Sequence, residues 1–318
     1  MTGFRLFVKK EKNIAALILF FVAMWIAMKT AVSGFGTVSQ FTYILQQAAF
    51  LGIACIGQNL IVLTGGIDLS PGYMITFAGI FLTVLHNKMG VNFAAALILC
   101  LVVLALMGLF NGLGVAKLRI PPMVMTLAVG TMIQGLSLLV SGGFPSSLGN
   151  ASFSKWVGTK TIFGVSNVTL FWIILILAVT LFLMKTTLGK SIYYVGSNPL
   201  AAKFCGINVS VTLIKVYVLS AIFCGLAGIM LVGFTSQSTL NMGDPYLFTG
   251  VTAVVLGGTS VAGGKGNYVG TAIGCLILTL LTSALTMMGI PDGGQTLVKG
   301  VVLVVLVILY GLANRKKQ

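Results

Sequence analysis

Long apolar runs, separated by short polar or glycine-rich segments, succeed one another along the chain from Ile14 onward. A helix needs about 20 mostly apolar residues to cross a hydrocarbon core, and only a helix or a closed barrel satisfies its own backbone there. On that criterion the pattern predicts about ten transmembrane helices, near 14–32, 43–63, 73–87, 93–115, 123–142, 168–184, 214–234, 247–262, 268–289 and 296–312. The expected fold is all-α: a polytopic integral membrane protein with a single transmembrane domain over 1–318. The stretch from Arg5 to Lys12 and the run from Ile14 to Met28 have the basic head and apolar middle of a signal peptide. No small-residue cleavage site follows, so this segment is read as an uncleaved first helix.

Spans 73–87 and 247–262 stand apart, the first for its shortness and the second for its interruption by Gly257 and Gly258. Such segments in transporters mark discontinuous helices beside a pathway, or they are ordinary helix ends. Small residues four apart, Gly108 with Gly112 and Gly270 with Gly274, suit close helix packing.

Composition narrows the function. Hydrophobic residues make up 58% and charged residues 7% of the chain, against about 25% charged in soluble domains. The four acids are Glu11, Asp68, Asp244 and Asp292, and the one histidine is His86, which leaves little material for acid–base catalysis. A net charge of +15 in a soluble protein would suggest nucleic acid. Here the membrane explains it, because cytoplasmic loops are enriched in Lys and Arg. With the amino terminus placed in the cytoplasm, Lys29, Lys88, Lys155, Lys160 and Lys299 fall outside and the other fourteen of the 19 cations fall inside. That split puts both termini in the cytoplasm. Cys55, Cys100, Cys205, Cys224 and Cys275 are scattered, without metal-ligand spacing.

Three loops carry information. The longest, over 185–213, holds the signals for one short helix: Ser197 or Asn198 as cap, Pro199 at its first position, and Gly206 as left-handed terminator. Leu200 and Phe204 share a face, with Ala201 and Ala202 between them. Isolated helices shorter than about 12 residues are marginal in water, so this one needs outside support, either a bilayer surface or a groove on a soluble partner. In the second loop, TGGIDLSPGY at 64–73, Asp68 is the one acid near membrane depth, read as forming a cap and bend or as touching a solute. The third, GGTSVAGGKGN at 257–267, fails the phosphate-loop pattern, which would require glycine at Thr259 and Ser or Thr at Gly266. Polar side chains within the spans, among them Gln46, Gln47, Gln58, Asn59, Asn111 and Gln134, either line a path for a hydroxylated solute or bond between helices. Gln47, Gln58, Asn59 and Asp68 are the candidate translocation-pathway residues.

GGIDLSPG at 65–72, TTLGKSIYYVGSNPLAAKFCGINV at 186–209 and VVLGGTSVAGGKGNYVGTAIG at 254–274 together resemble the permease subunits of ribose-type ABC importers, the carbohydrate uptake type 2 group. The likeness in length, motif order and spacing covers essentially the whole chain. It implies a permease dimer, homomeric or paired with a sister permease, in a bacterial inner membrane. The expected partners are an ABC ATPase on the cytoplasmic side, which holds the ATP and Mg, and a periplasmic or lipid-anchored sugar-binding protein. No cofactor is expected on this chain and no chemistry of its own. Asn198–Gly206 matches the family's coupling helix, which favours partner docking for the short helix. The family's usual GIDLSVG has valine where Pro71 stands here.

The expected function is import of a neutral hydroxylated solute, a monosaccharide of the ribose, galactose or autoinducer-2 type. A gradient-driven carrier or channel is the alternative, although such proteins place ionisable residues along the pathway. An intramembrane enzyme would need a catalytic constellation, and Asp68, Asp244 and Asp292 are assigned to different loops.

Overall fold

The computed structural model describes residues 2–32, 34–159 and 164–315. Lys160, Lys316 and Lys317, used in the charge sorting, lie outside the described residues, as do the side chains of Arg5, Lys9, Lys10, Lys12 and Arg315. The helices, in order, are α1 (Thr2–Ala31), α2 (Val38–Leu63), α3 (Pro71–Thr83), α4 (Phe93–Ala116), α5 (Pro122–Ser141), α6 (Ala151–Gly158), α7 (Asn167–Lys185), α8 (Thr187–Ser197), α9 (Pro199–Phe204), α10 (Val209–Thr235), α11 (Tyr246–Leu256), α12 (Tyr268–Met287) and α13 (Asp292–Arg315). A π-helical turn, Val84–Lys88, extends α3. Two-residue strands β1 (Ser146–Ser147) and β2 (Gln237–Ser238) pair antiparallel, Ser146 opposite Ser238.

The all-α expectation holds, and each predicted span overlaps a helix, although 257–262 of the eighth lies beyond the end of α11 at Leu256. Among the described residues seven helices, α1, α2, α4, α5, α7, α10 and α12, are long and apolar enough to cross a membrane. The remaining predicted spans fall on α3 with its π turn, on α11 and on α13. Of the two spans singled out by sequence, the first is short, 13 residues in α3, and the second is interrupted where expected, α11 ending at Leu256 just before Gly257.

The centre of the molecule is α2, buried from Ala48 to Leu63 without a break. Small residues let its neighbours approach. A methyl group at Gly57 would stand 2.5 Å from Cα of Ser220 on α10. At Gly108 it would stand 2.6 Å from the Tyr217 carbonyl oxygen, and at Gly112 2.8 Å from Cα of Ile214, so α4 lies directly on α10. Gly270 and Gly274 do the same for α12, against the backbone of Gly257 and Ala253 at the end of α11. Trp172 of α7 lies over Gly52; its Nε1 donates to Tyr268 Oη (2.9 Å), which in turn donates to the Gly52 carbonyl (2.7 Å). The outer faces of α4, α5 and α7 are apolar and exposed, as at Leu106, Leu139 and Ile174. Such faces suit lipid rather than water.

Candidate functional site

A cavity of about 650 Å³ opens at one end of the bundle. Its walls are the first half of α2, the last turns of α10, strand β2, the start of α11, the last half of α12, and Lys299 of α13. Under the orientation read from the charges, all of these lie toward the outer face. The wall of α2 is Gln40, Tyr43, Gln47 and Leu51, spaced three, four and four apart and therefore on one helical face. The wall of α12 is Thr279, Thr282, Ser283 and Thr286, again a stripe at helical spacing. Thr282 and Thr286 donate their hydroxyl protons back to the carbonyls of Leu278 and Thr282, both at 2.9 Å, which leaves the oxygens to act as acceptors, as Thr286 Oγ1 already does for Gln295 Nε2 (3.1 Å). Gln40 Nε2 donates to Ser283 Oγ and ties the two walls together. Tyr43, Tyr246 and Met242 supply apolar surface, and Lys299 is the only charged residue in the lining.

Of the four candidate pathway residues, only Gln47 lines this cavity. Asn59 is fully buried, and its Nδ2 donates to Thr259 Oγ1 and Thr271 Oγ1, both at 2.8 Å. Gln58 is 1% exposed and neither atom of its amide has a partner among the described residues. Asp68 is also 1% exposed: its Oδ1 accepts from the Ser70 amide (2.8 Å) and hydroxyl (2.6 Å), and its Oδ2 from Ser220 Oγ (3.3 Å). The geometry favours the bend-forming reading of Asp68, with one adjustment. The cap position of α3 is Ser70, and Asp68 holds that residue instead of bonding to the helix's own first amides. Pro71 stands at the first helical position, where its missing N–H costs nothing. Ser220 lies eleven residues into α10, about 16 Å along the axis, so the Asp68 loop sits well inside the bundle.

The stretch over 185–213 differs from expectation in holding two helices, α8 and α9, where the sequence pattern gave one. Asn198 is the cap of α9, accepting from the amides of Leu200 and Ala201 at 3.0 Å. Ser197 is the last residue of α8, and its hydroxyl donates to the Tyr193 carbonyl, so it does not cap. Pro199 opens α9, and Gly206 follows it with φ 80°, as expected. Leu200 and Phe204 are 70% and 91% exposed on the same face, Ala201 is exposed, and Ala202 is buried. The 257–267 loop is a clasp: Gly264 N donates to the Leu63 carbonyl (2.9 Å), Tyr193 Oη donates to the Gly266 carbonyl (3.0 Å), and Gly196 lies against Leu63 and Gly263. It thereby joins α8 to the end of α2.

The cavity was missed in the sequence because each Thr of α12 reads singly as an ordinary back-bonded hydroxyl. The signal was their recurrence at 279, 282, 283 and 286 within an otherwise apolar helix.

Comparison with known proteins identifies a family of permeases. A family described as "Branched-chain amino acid transport system / permease component" matches residues 40–310. The ribose import permease protein of Escherichia coli (strain K12) is 35% identical over 327 aligned residues, covering 100% of this chain and 98% of the relative. The fructose import permease protein of Rhizobium meliloti is 33% identical, covering 84% of this chain and 76% of the relative. The autoinducer 2 import system permease protein of Photorhabdus luminescens is 31% identical, with 81% and 79% covered. No solved structure matches significantly.

Proposed function

Because the chain belongs to the branched-chain amino acid transport system / permease component family, and within it to the carbohydrate ABC importer permeases, we propose that its cavity admits a neutral, hydroxylated solute of monosaccharide size. The observation that carries this reading is the lining. Amides and hydroxyls both donate and accept, as a sugar's hydroxyls do, while tyrosine and leucine surfaces match its C–H faces. No acid lines the cavity, which disfavours a cationic cargo. A gradient-driven carrier is served poorly by the same residues, since Asp68 is engaged by Ser70 and Ser220, away from the lining.

The remainder of the machine follows from where surfaces are left open. The exposed Leu200–Phe204 face of α9 is proposed as the seat of an ABC ATPase that carries the ATP and Mg, with a sugar-binding protein delivering solute at the cavity mouth. A second permease, identical or paralogous, completes the pathway in a bacterial inner membrane, with both termini in the cytoplasm.

The test is mild-detergent purification of the tagged chain from its native membrane, with partners identified and ATPase activity assayed. The wild type is expected to bring an ABC ATPase with it. Replacing both Leu200 and Phe204 with Asp removes two exposed anchors and should cut ATPase recovery about tenfold or more, with the melting temperature of the permease unchanged. Ala202 is unsuited to this purpose, since its burial would confound docking with folding. Repeated recovery of a lone chain that transports without ATP would overturn the reading in favour of a gradient-driven carrier.

A further inference from the structure

The face of α2 that lines the cavity does not end where the cavity does. Gln40, Tyr43, Gln47 and Leu51 continue in the same register to Ala54 and Gln58, and Gln58 lies seven residues, about 10 Å, beyond Leu51. Between Gln47 and Gln58 that face carries one bulky side chain, Leu51, 4% exposed, and the small Ala54, also 4% exposed. On α12 the apolar Leu278, 1% exposed, is the deepest residue of that helix in the lining.

Past this apolar constriction the chemistry becomes polar again. Gln58 keeps both Nε2 and Oε1 buried without a partner among the described residues, and Oδ1 of the neighbouring Asn59 is likewise unpartnered. Asn59 Nδ2 already donates to Thr259 and Thr271, which fixes its orientation. A buried amide with no hydrogen bond is costly, and replacement by an apolar side chain of similar shape would relieve the cost. Such an exception calls for a cause, and a partner supplied in another state of the molecule is one.

We infer that Gln58 and Asn59 form a second solute station, on the inner side of the Leu51–Leu278 constriction, where the hydroxyls of the same neutral solute are bound once the pathway opens to the cytoplasm. The inference rests on the cavity being the outer half of the pathway. Gln58 supplies a donor and an acceptor, as a hydroxyl requires, and Asn59 Oδ1 is a further acceptor one residue along the helix. In the state described here both residues are buried. Its connection toward α9 runs through α8: Thr259, which holds Asn59, belongs to the clasp loop that grips α8.

The test uses the permease with its ATPase in membrane vesicles, in a Cys205→Ser background, since the other four cysteines are buried. Gln58→Cys, Ala54→Cys and Gln47→Cys are treated with a water-soluble methanethiosulfonate cation, without nucleotide, with ATP, and with ATP and vanadate. Reaction of Gln58→Cys from the cytoplasmic face in at least one nucleotide state is expected, with Gln47→Cys reacting from the outer face. Silence of Gln58→Cys in every nucleotide state, at an unchanged melting temperature, would overturn the inference and make Gln58 a sealed structural residue. Should that variant fail to fold, Ala54→Cys, a smaller change on the same face, decides in the same way. Silence of Gln47→Cys from the outer face would instead remove the cavity reading, so the two failures are separable.

Discussion

Asp68 shows how one side chain can fix the course of the backbone inside a membrane protein. Its carboxylate is sealed from solvent, and all three of its hydrogen bonds go to Ser70 or Ser220. Two of them hold the residue that starts α3, and the third ties that start to α10. Ser70 is engaged further, its hydroxyl accepting from Asn111 Nδ2 at 3.3 Å, so loop, α4 and α10 meet at one point. Asp68→Ala would strand a buried amide and two hydroxyls, at a cost of about 2 kcal/mol or more. Asp68→Asn keeps one acceptor for Ser70 and offers a donor to Ser220, whose hydroxyl can turn to accept it. Thermal melting of the detergent-purified chain should therefore fall markedly for the alanine variant and only slightly for asparagine. Equal melting of both with the wild type, together with lost transport, would return Asp68 to the role of a solute contact. The bend at this position was readable in TGGIDLSPGY, because glycine, aspartate and proline act locally. What the acid bonds to was not, since Ser220 is 152 residues away.

At the scale of elements the same division between local and distant causes separates α9 from α8. Cap, first-position proline and left-handed terminator all lie within α9's own immediate sequence, so that helix could be read directly. The segment TLGKSIYYVGS reads as a loop because Gly189 and Gly196 look like helix breakers. Both are in fact contact points: Gly189 lies on the backbone of Phe182 and Leu183 in α7, and Gly196 on the carbonyl of Leu63. A methyl group at Gly196 would also stand 2.6 Å from the Gly264 amide, and Gly264 itself sits at φ 70°, a conformation that favours glycine. The clasp has little room to yield, because the three atoms nearest such a methyl group are all backbone. Gly196→Ala is expected to push α8 away from α2, lowering the melting temperature and weakening the link between α9 and the bundle. ATPase recovered with the permease should then hydrolyse ATP at a rate no longer raised by the binding protein. An alanine variant that melted and coupled like the wild type would show that α8 and the end of α2 are not held by this contact. The cavity posed the same difficulty, since its walls come from helices far apart in sequence, and Gln47 and the polar stripe of α12 were the local signals that pointed to it.

Across the whole molecule, the proposed orientation rests on the positive-inside sorting, and a residue already present can test it. Cys205 directly follows α9 and is the one cysteine of the five that is exposed. With both termini in the cytoplasm, α9 and Cys205 face the cytoplasm while the cavity mouth opens outward. A membrane-impermeant maleimide should therefore label the unmodified chain in inside-out vesicles and leave it unlabelled in right-side-out vesicles until they are permeabilised. Because Cys205 adjoins Phe204, which is 91% exposed, an ATPase seated on α9 would cover the thiol. Labelling should then be slow in intact complexes and rise when the ATPase is stripped off. Labelling from the outer face would invert the topology and place the cavity on the cytoplasmic side, where it would serve release and not entry. Labelling from the cytoplasmic face at a rate indifferent to the ATPase would keep the topology and move the docking site away from α9.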